Sequence, residues 1–265
     1  MKVLVTGPHG FVGVRIMAAL KDAIPAPSLR DADEDEIKRL VERIAPDVII
    51  HTAAMSDIAT CERDPEGSYR ANIALPVWLA ATGVKLIAFS TDQVYSGCTE
   101  DGPYTEDMGV SANLYGRHKL EMEKRTLDIN PDTVLLRATW MYDMPVYGEK
   151  NRGNFLINML RSREQAFSAV QHRAVTYARD VADCIQAAIC LPGGVYNFGS
   201  ENDLTMLETA MWLKQKLDLP VTLRDAGERH ALWMDCRKIQ GQGIIFPDTV
   251  CGLQRCMNDY GLADI

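Results

Sequence analysis

The sequence predicts an α/β fold, a Rossmann-type doubly wound parallel sheet with a small C-terminal substrate lobe. Three observations carry that prediction. Apolar runs of strand length alternate with amphipathic helical runs through the first half of the chain. A glycine turn, "VTGPHGFVG", follows the first apolar run and opens a helix. A later run, "KLIAFST", ends in hydroxyl side chains, where an open parallel sheet places its ligands.

Taken in order, "KVLVTG" reads as a buried strand and "FVGVRIMAALKD" as the helix after it. A second strand is due next, but "AIPAPSLRDADEDE" carries Pro25 and Pro27, which spoil it as a central strand. Asp31 and Asp33 read as capping residues of the following helix, "DEDEIKRLVERI", whose apolar face is Ile37, Leu40, Val41 and Ile44. "PDVIIHTAA" is a strand entered after Pro46. "PEGSYRANIALPVWLAATG" is a helix ending at Gly83, with Pro76 an awkward interior residue. "KLIAFST" is a strand, "YGRHKLEMEKRTLD" a helix and "TVLLRATWMY" a strand. Such alternation predicts a parallel sheet covered on both faces.

The second half is less regular. Residues 143–153 read as a loop, "NFLINMLRSR" and "YARDVADCIQAAICL" as helices, and "GVYNFGS" as a short strand. "LTMLETAMWLKQKLDL" is a long helix that starts near Leu204 or Thr205. The expected division is a dinucleotide-binding domain over residues 1–140. Residues 141–265 form mainly a small substrate-binding lobe, with interleaved core segments.

Composition narrows the function. The chain has 265 residues, 47% hydrophobic and 24% charged, the balance of an ordinary globular protein. A net charge of −8 argues against nucleic acid as a partner. No apolar run approaches the roughly 18 residues of a membrane span. The seven cysteines are scattered without a Cys-x-x-Cys pair, so neither a metal site nor a disulfide framework is expected. Reduced thiols in a cytoplasmic protein are the expectation.

Gly7, Gly10 and Gly13 give the turn the spacing G-x-x-G-x-x-G, with Phe11 and Val12 leading into the helix. Such a turn keeps side chains away from an approaching pyrophosphate and presents free backbone amides to it. NADP or NAD is therefore the expected cofactor. The acidic residue that commonly reads an adenosine ribose is not evident after the second strand. Ser28 or Arg30 is placed to reach a 2′-phosphate instead, and the choice between the two cofactors stays open.

Tyr115 and Lys119 stand at i and i+4 of a helix and share a face. A lysine ammonium beside a phenol favours the phenolate and lowers its pKa. A phenol so tuned exchanges a proton with a substrate oxygen while hydride moves at the attached carbon. The order along the chain matters more than the pair: glycine turn, then Ser90 and Thr91 at a strand end, then Tyr115 and Lys119.

These residues resemble an extended short-chain dehydrogenase/reductase, and more narrowly the dTDP-4-dehydrorhamnose reductase family. The matching stretches include "VTGPHGFVG", "PDVIIHTAAMSDIATCERDPEGSYRAN", "FSTDQVYSG", "NLYGRHKLEMEK", "LLRATWMY", "GNFLINML" and "QHRAVTYARDVAD", in the family's order over residues 1–200. The resemblance implies a catalytic trio of Thr91, Tyr115 and Lys119. It implies Gly7, Gly10 and Gly13 at the pyrophosphate, and Ala53 and Ala54 on the adenosine and ribose side. Asn72 would order the site, and Ser90 would lie near the nicotinamide. Asp92, Val94, Tyr95, Arg137, Trp140, Asn154, Phe155 and Thr176 would fall around the substrate, a nucleotide-linked 4-keto-deoxysugar. The oligomeric state stays open, with a homodimer as one candidate assembly.

Three departures from the family pattern concern the substrate side. Ala112 replaces a proline before the tyrosine, and Arg173-Ala174-Val175 replaces a turn with Gly and Pro before Thr176. Arg229-His230 replaces an Arg-Pro. Thr91-Asp92-Gln93 lacks the glutamate that dehydratases of this superfamily carry, so a dehydratase is not expected. Two alternatives remain. One is a sugar-nucleotide epimerase; the other is a non-catalytic nucleotide-binding subunit resembling the methionine adenosyltransferase β subunit.

Overall fold

The computed structural model describes residues 1–145, 153–227 and 232–262. Most of the loop expected over residues 143–153, and the Arg229-His230 departure, lie outside them.

The chain runs β1 (Val3–Thr6), α1 (Gly13–Ala19), β2 (Ile24–Pro25), α2 (Glu34–Ile44), β3 (Val48–His51), α3 (Ile58–Arg63), α4 (Pro65–Tyr69), α5 (Leu75–Ala81) and β4 (Lys85–Thr91). It continues through α6 (Leu114–Ile129), β5 (Val134–Ala138), β6 (Trp140–Tyr142), α7 (Phe155–Arg161), β7 (Glu164–Phe167), β8 (Val175–Tyr177) and α8 (Ala178–Ala188). Then come β9 (Gly194–Phe198), α9 (Met206–Lys216), β10 (Thr222–Asp225), α10 (Arg237–Gln240) and α11 (Thr249–Asp259).

Among the described residues, six strands form one parallel sheet in the order β2-β1-β3-β4-β5-β9. This is the doubly wound, Rossmann-type sheet that the sequence predicts. β1, β3, β4 and β5 are buried on both faces, so they read as continuous apolar runs rather than alternating ones. One core lies between the sheet and α1 and α8, and includes Val3, Val5, Ile16, Ile50, Ile87, Val181 and Ile185. The other packs α2, α5 and α6 on the opposite face through Leu4, Ile37, Leu40, Ile49, Leu79 and Met122. Because β2 and β3 lie on either side of β1, the strand order reverses there. That reversal opens a crevice beyond the carboxyl ends of β1 and β3.

The proline-rich segment becomes a two-residue edge strand, with Pro25 opposite Val5. An edge leaves one side of a strand without ladder partners, so a missing N–H costs nothing there. Asp33 caps α2 in a capping box with Glu36. Pro76 is accommodated by a π-turn over Arg70–Ala74, in which the Leu75 amide bonds the Arg70 carbonyl. That shift lets the helix pass a residue with no amide to give. Gly83 takes φ +73° just past the end of α5.

The run "TVLLRATWMY", expected as one strand, is two. β5 ends at Ala138, and β6 leaves the main sheet to pair with β8. The Thr139 hydroxyl, between them, bonds the Thr176 hydroxyl. A third core gathers around β6, β8, α7, α9 and α11, including Tyr142, Phe155, Phe167, Tyr177, Leu213 and Leu253. No described helix is long and apolar enough to cross a membrane.

Candidate active site

The glycine turn is built by close approach. Gly7 takes φ +67°, where a side chain is strained, and the Gly10 amide bonds its carbonyl at 2.9 Å. A Cβ on Gly13 would sit 2.0 Å from the Gly7 oxygen, so α1 reaches this turn only without a side chain. Thr52, just past β3, donates from Oγ1 to the Thr6 carbonyl at 2.8 Å and ties the turn to its neighbour strand. Ala53 and Ala54 follow it, the first half-buried and the second exposed. Asn72 clamps this segment: its Oδ1 accepts from the Met55 amide at 3.1 Å and its Nδ2 donates to the Met55 carbonyl at 2.9 Å. The result is a mouth of backbone and methyl groups at the carboxyl ends of β1 and β3. The glycines keep Cβ atoms out of this turn, and backbone so bare is the chemistry a pyrophosphate needs.

Beyond β4, Thr91 caps a 3₁₀ turn over Asp92–Tyr95, its Oγ1 accepting from the Gln93 amide at 3.2 Å. The N-terminus of α6 lies directly against this turn. Asn113 caps α6, and its Nδ2 donates to Gln93 Oε1 at 3.0 Å. Gly116 permits the approach, since a Cβ there would lie 2.4 Å from the Gln93 carbonyl oxygen. Tyr115 is thereby held beside Thr91, and both are buried.

Lys119 is 1% exposed, with Nζ 5.9 Å from the Tyr115 ring centroid and bonded to the Phe89 carbonyl at 2.9 Å. Burial pulls its pKa down to about 8, against the opposing charge of Glu123. The Tyr115 phenol is pushed well above its ordinary value. Burial is the main cause, the Asp92 charge adds to it, and a hydrogen bond with Thr91 opposes it. This differs from the expectation of a phenol pKa lowered by lysine: burial, with the Asp92 charge, sets the direction of the shift. His51 ends β3 and accepts or donates through Nδ1 to Thr6 Oγ1 at 2.7 Å. Burial first, and Lys119 second, hold its pKa at about 3, so the ring stays neutral.

A family model described as the RmlD substrate binding domain matches residues 1–226. The chain belongs to that family. It is 35% identical over 197 residues to a dTDP-4-dehydrorhamnose reductase of Burkholderia thailandensis, a match covering 69% of this chain and 64% of the relative. The chain thus covers less than two thirds of that relative's length. It is 27% identical to methionine adenosyltransferase 2 subunit beta of Xenopus laevis, over 92% of this chain and 83% of that protein. The solved structure of dTDP-4-dehydrorhamnose reductase from Bacillus anthracis in complex with NADP shares the fold, with a TM-score of 0.82 at 21% identity, covering 97% and 99% of the two chains.

In this RmlD-family chain several expected site residues are internal. Ser90 donates to Glu123 Oε1 at 2.5 Å. Glu123, which the sequence reading missed, also binds the Arg137 guanidinium, with Nη2 to Oε2 at 2.7 Å. Arg137 is 3% exposed and donates further to the Tyr95 hydroxyl at 2.8 Å and the Glu106 carbonyl at 2.8 Å. Its Nε, Nη1 and Nη2 each donate within the protein, which braces the strand end. Tyr95 and Val94 are fully buried, and the Tyr95 hydroxyl donates to Asn197. Asn154 is the N-cap of α7 and bonds the Asp143 carbonyl; Phe155 lies in the third core. Thr176 is fully buried and accepts from the Ser200 amide at 2.8 Å. All seven of these side chains, Ser90, Val94, Tyr95, Arg137, Asn154, Phe155 and Thr176, are buried, and the polar ones make hydrogen bonds within the protein, as polar groups so buried must. A cap pattern, Asn154 followed by an apolar helical run, was the signal for one of them.

Trp140 stays half-buried, and Asp92 accepts a fork from Arg173. Phe11 and Val12 flank the turn and are half-buried. Ser28 and Arg30 are exposed beyond β2, and the Arg30 carbonyl accepts from Arg70 Nε at 2.9 Å. Among the described residues no cluster of acidic, histidine or cysteine side chains is arranged to hold a metal.

Proposed function

We propose that this chain reduces the 4-keto group of a nucleotide-linked deoxysugar, with Tyr115 as the proton donor. The observation that carries the reading is the convergence of Thr91, Tyr115 and Lys119 beside the crevice at β1 and β3, in a chain of the RmlD family. NADPH or NADH supplies the hydride. Gly7, Gly10, Phe11, Val12 and Gly13 hold the pyrophosphate, and Ala53 and Ala54 pass the adenosine. Ser28 and Arg30 face a 2′-phosphate, which favours NADP where it is present. Thr91 holds the substrate oxygen that Tyr115 protonates. The raised phenol pKa suits this direction, since the group stays protonated at neutral pH until it gives its proton up. Lys119 sits where it stabilises the phenolate that results. Residues 1–140 serve the dinucleotide, and residues 141–265 mainly the sugar, although β9 and α8 return to the sheet. The setting in this reading is a cytoplasmic homodimer.

The test is oxidation of NADPH and NADH with a dTDP-4-keto-6-deoxysugar. Turnover should fall at least about 100-fold in Tyr115→Phe, the scale of a lost general acid. A second reading, a nucleotide-binding regulatory subunit, is favoured by the longer coverage of the methionine adenosyltransferase β relative. Cofactor binding with no turnover on any keto-sugar would establish that reading against the reductase.

A further inference from the structure

Arg173 belongs to the turn before Thr176 that the resembling family writes with Gly and Pro. It lies between β7 and β8, outside the main sheet, and its carbonyl accepts from Asn202 Nδ2 at 3.0 Å, which fixes the backbone. Its guanidinium reaches the turn that follows β4. There Nε and Nη2 both donate to Asp92 Oδ2, at 2.9 and 2.8 Å. The same group lies over the Trp140 ring, 5.3 Å from its centroid. Asp92 is 3% exposed in its side chain, and its other oxygen accepts from Thr91 Oγ1 at 3.3 Å.

We propose that Arg173 is a positioning residue of this site: it holds the Asp92 carboxylate in place and cancels its charge beside Tyr115. A carboxylate so buried needs a partner, and removing the partner leaves an uncompensated charge next to the reacting hydroxyls. The groups that face Tyr115 are Asp92 and Thr91 from the end of β4, Cys61 from α3 and Lys119 from its own helix. Of these Asp92 carries the negative charge that resists phenolate formation, and Arg173 is the group that meets it. The Arg173 pairing therefore makes Tyr115 a readier proton donor, and it takes Asp92 Oδ2 out of the pool of acceptors open to a sugar hydroxyl.

The proposal rests on Tyr115 as the acid, so its test reads the phenol without a substrate. The tyrosines of the full chain are replaced by 3,5-difluorotyrosine, whose ring fluorines make the phenol acidic enough to bring even a raised pKa into range, and the ¹⁹F signals are titrated between about pH 6 and 11. The Tyr115 signal is assigned by its loss in Tyr115→Phe. Asp92→Asn should ionise at least about one unit below wild type, the scale of a neighbouring charge. Arg173→Gln should ionise above wild type or not at all in the range, and Arg173→Lys should restore the wild-type titration. The double variant Asp92→Asn/Arg173→Gln should lie between its two parents. A Tyr115 signal unchanged in Asp92→Asn, or lowered in Arg173→Gln, overturns the proposal. Turnover retained in Tyr115→Phe would instead sink the reductase reading and leave these titrations standing.

Discussion

Lys119 is a charged side chain placed where an uncharged one would fold better. Its pKa near 8 lies below the ordinary lysine value of 10.5 because burial penalises the ammonium. Between those two values the unfolded chain holds a proton that the folded chain has lost. This group therefore adds stability as pH rises from about 8 to 10.5 and withholds it below about 8. Lys119→Met should be more stable than the parent at neutral pH by about 1–3 kcal/mol, after the lost bond to the Phe89 carbonyl is counted. Denaturant unfolding should find that gain shrinking as pH approaches 10, while turnover collapses. A variant less stable than the parent at pH 7 would show that Lys119 is there for folding and not for the site. The Tyr-x-x-x-Lys spacing was legible in the sequence. The sign of the phenol shift was not, because desolvation depends on what packs around the ring.

At the scale of elements, the geometry proposed for catalysis is a helix end pressed onto a strand end. Gly116 decides how close α6 comes to the turn after Thr91. A Cβ there would sit 2.1 Å from Ser111 Oγ and 2.4 Å from the Gln93 carbonyl. Gly116→Ala should cost about 1–3 kcal/mol by overpacking, read as a lowered melting temperature. It should also lower turnover beyond what the unfolded fraction explains, because Tyr115 is carried outward with the helix. The glycine after Tyr115 was visible in "NLYGRHK", yet its role needs the neighbouring turn to be seen. The capping residues were more readable: Asp33 and Glu36 form their box within four residues of sequence. The break between β5 and β6 was unreadable, since the residues on both sides of Thr139 have strand character and the partner β8 comes more than 30 residues later.

Across the whole molecule, one buried ion pair ties the glycine-turn helix to the third core. Arg15 on α1 bonds Asp143, just past β6, and their side chains are 3% and 2% exposed. Tyr260, following α11, donates to the same carboxylate at 2.8 Å. Arg15 also bonds the Phe11 carbonyl, inside the turn itself. Asp143→Ala should destabilise the chain by about 3–5 kcal/mol, the cost of stranding a buried charge. It should also weaken NADPH binding, measured by fluorescence titration, because the arginine that braces the turn loses its anchor. Unchanged cofactor affinity in a folded Asp143→Ala protein would limit the pair to stability. Neither residue stood out in the sequence, because 128 positions separate them.

The sequence by itself determined the parallel α/β sheet, the glycine turn, the family and the order in which the site residues appear. Those features follow from local patterns: hydrophobic period, turn chemistry and short spacings. Tertiary structure alone decided which polar residues are buried with their hydrogen bonds made inside the protein. Arg137, Tyr95, Asn154 and Thr176 are the residue types that bind sugars, but each is buried with its hydrogen bonds already made. Arg173, a mere departure in the sequence, is the side chain that crosses to Asp92. Burial and pairing are properties of what packs nearby, and residues distant in the chain supply most of that.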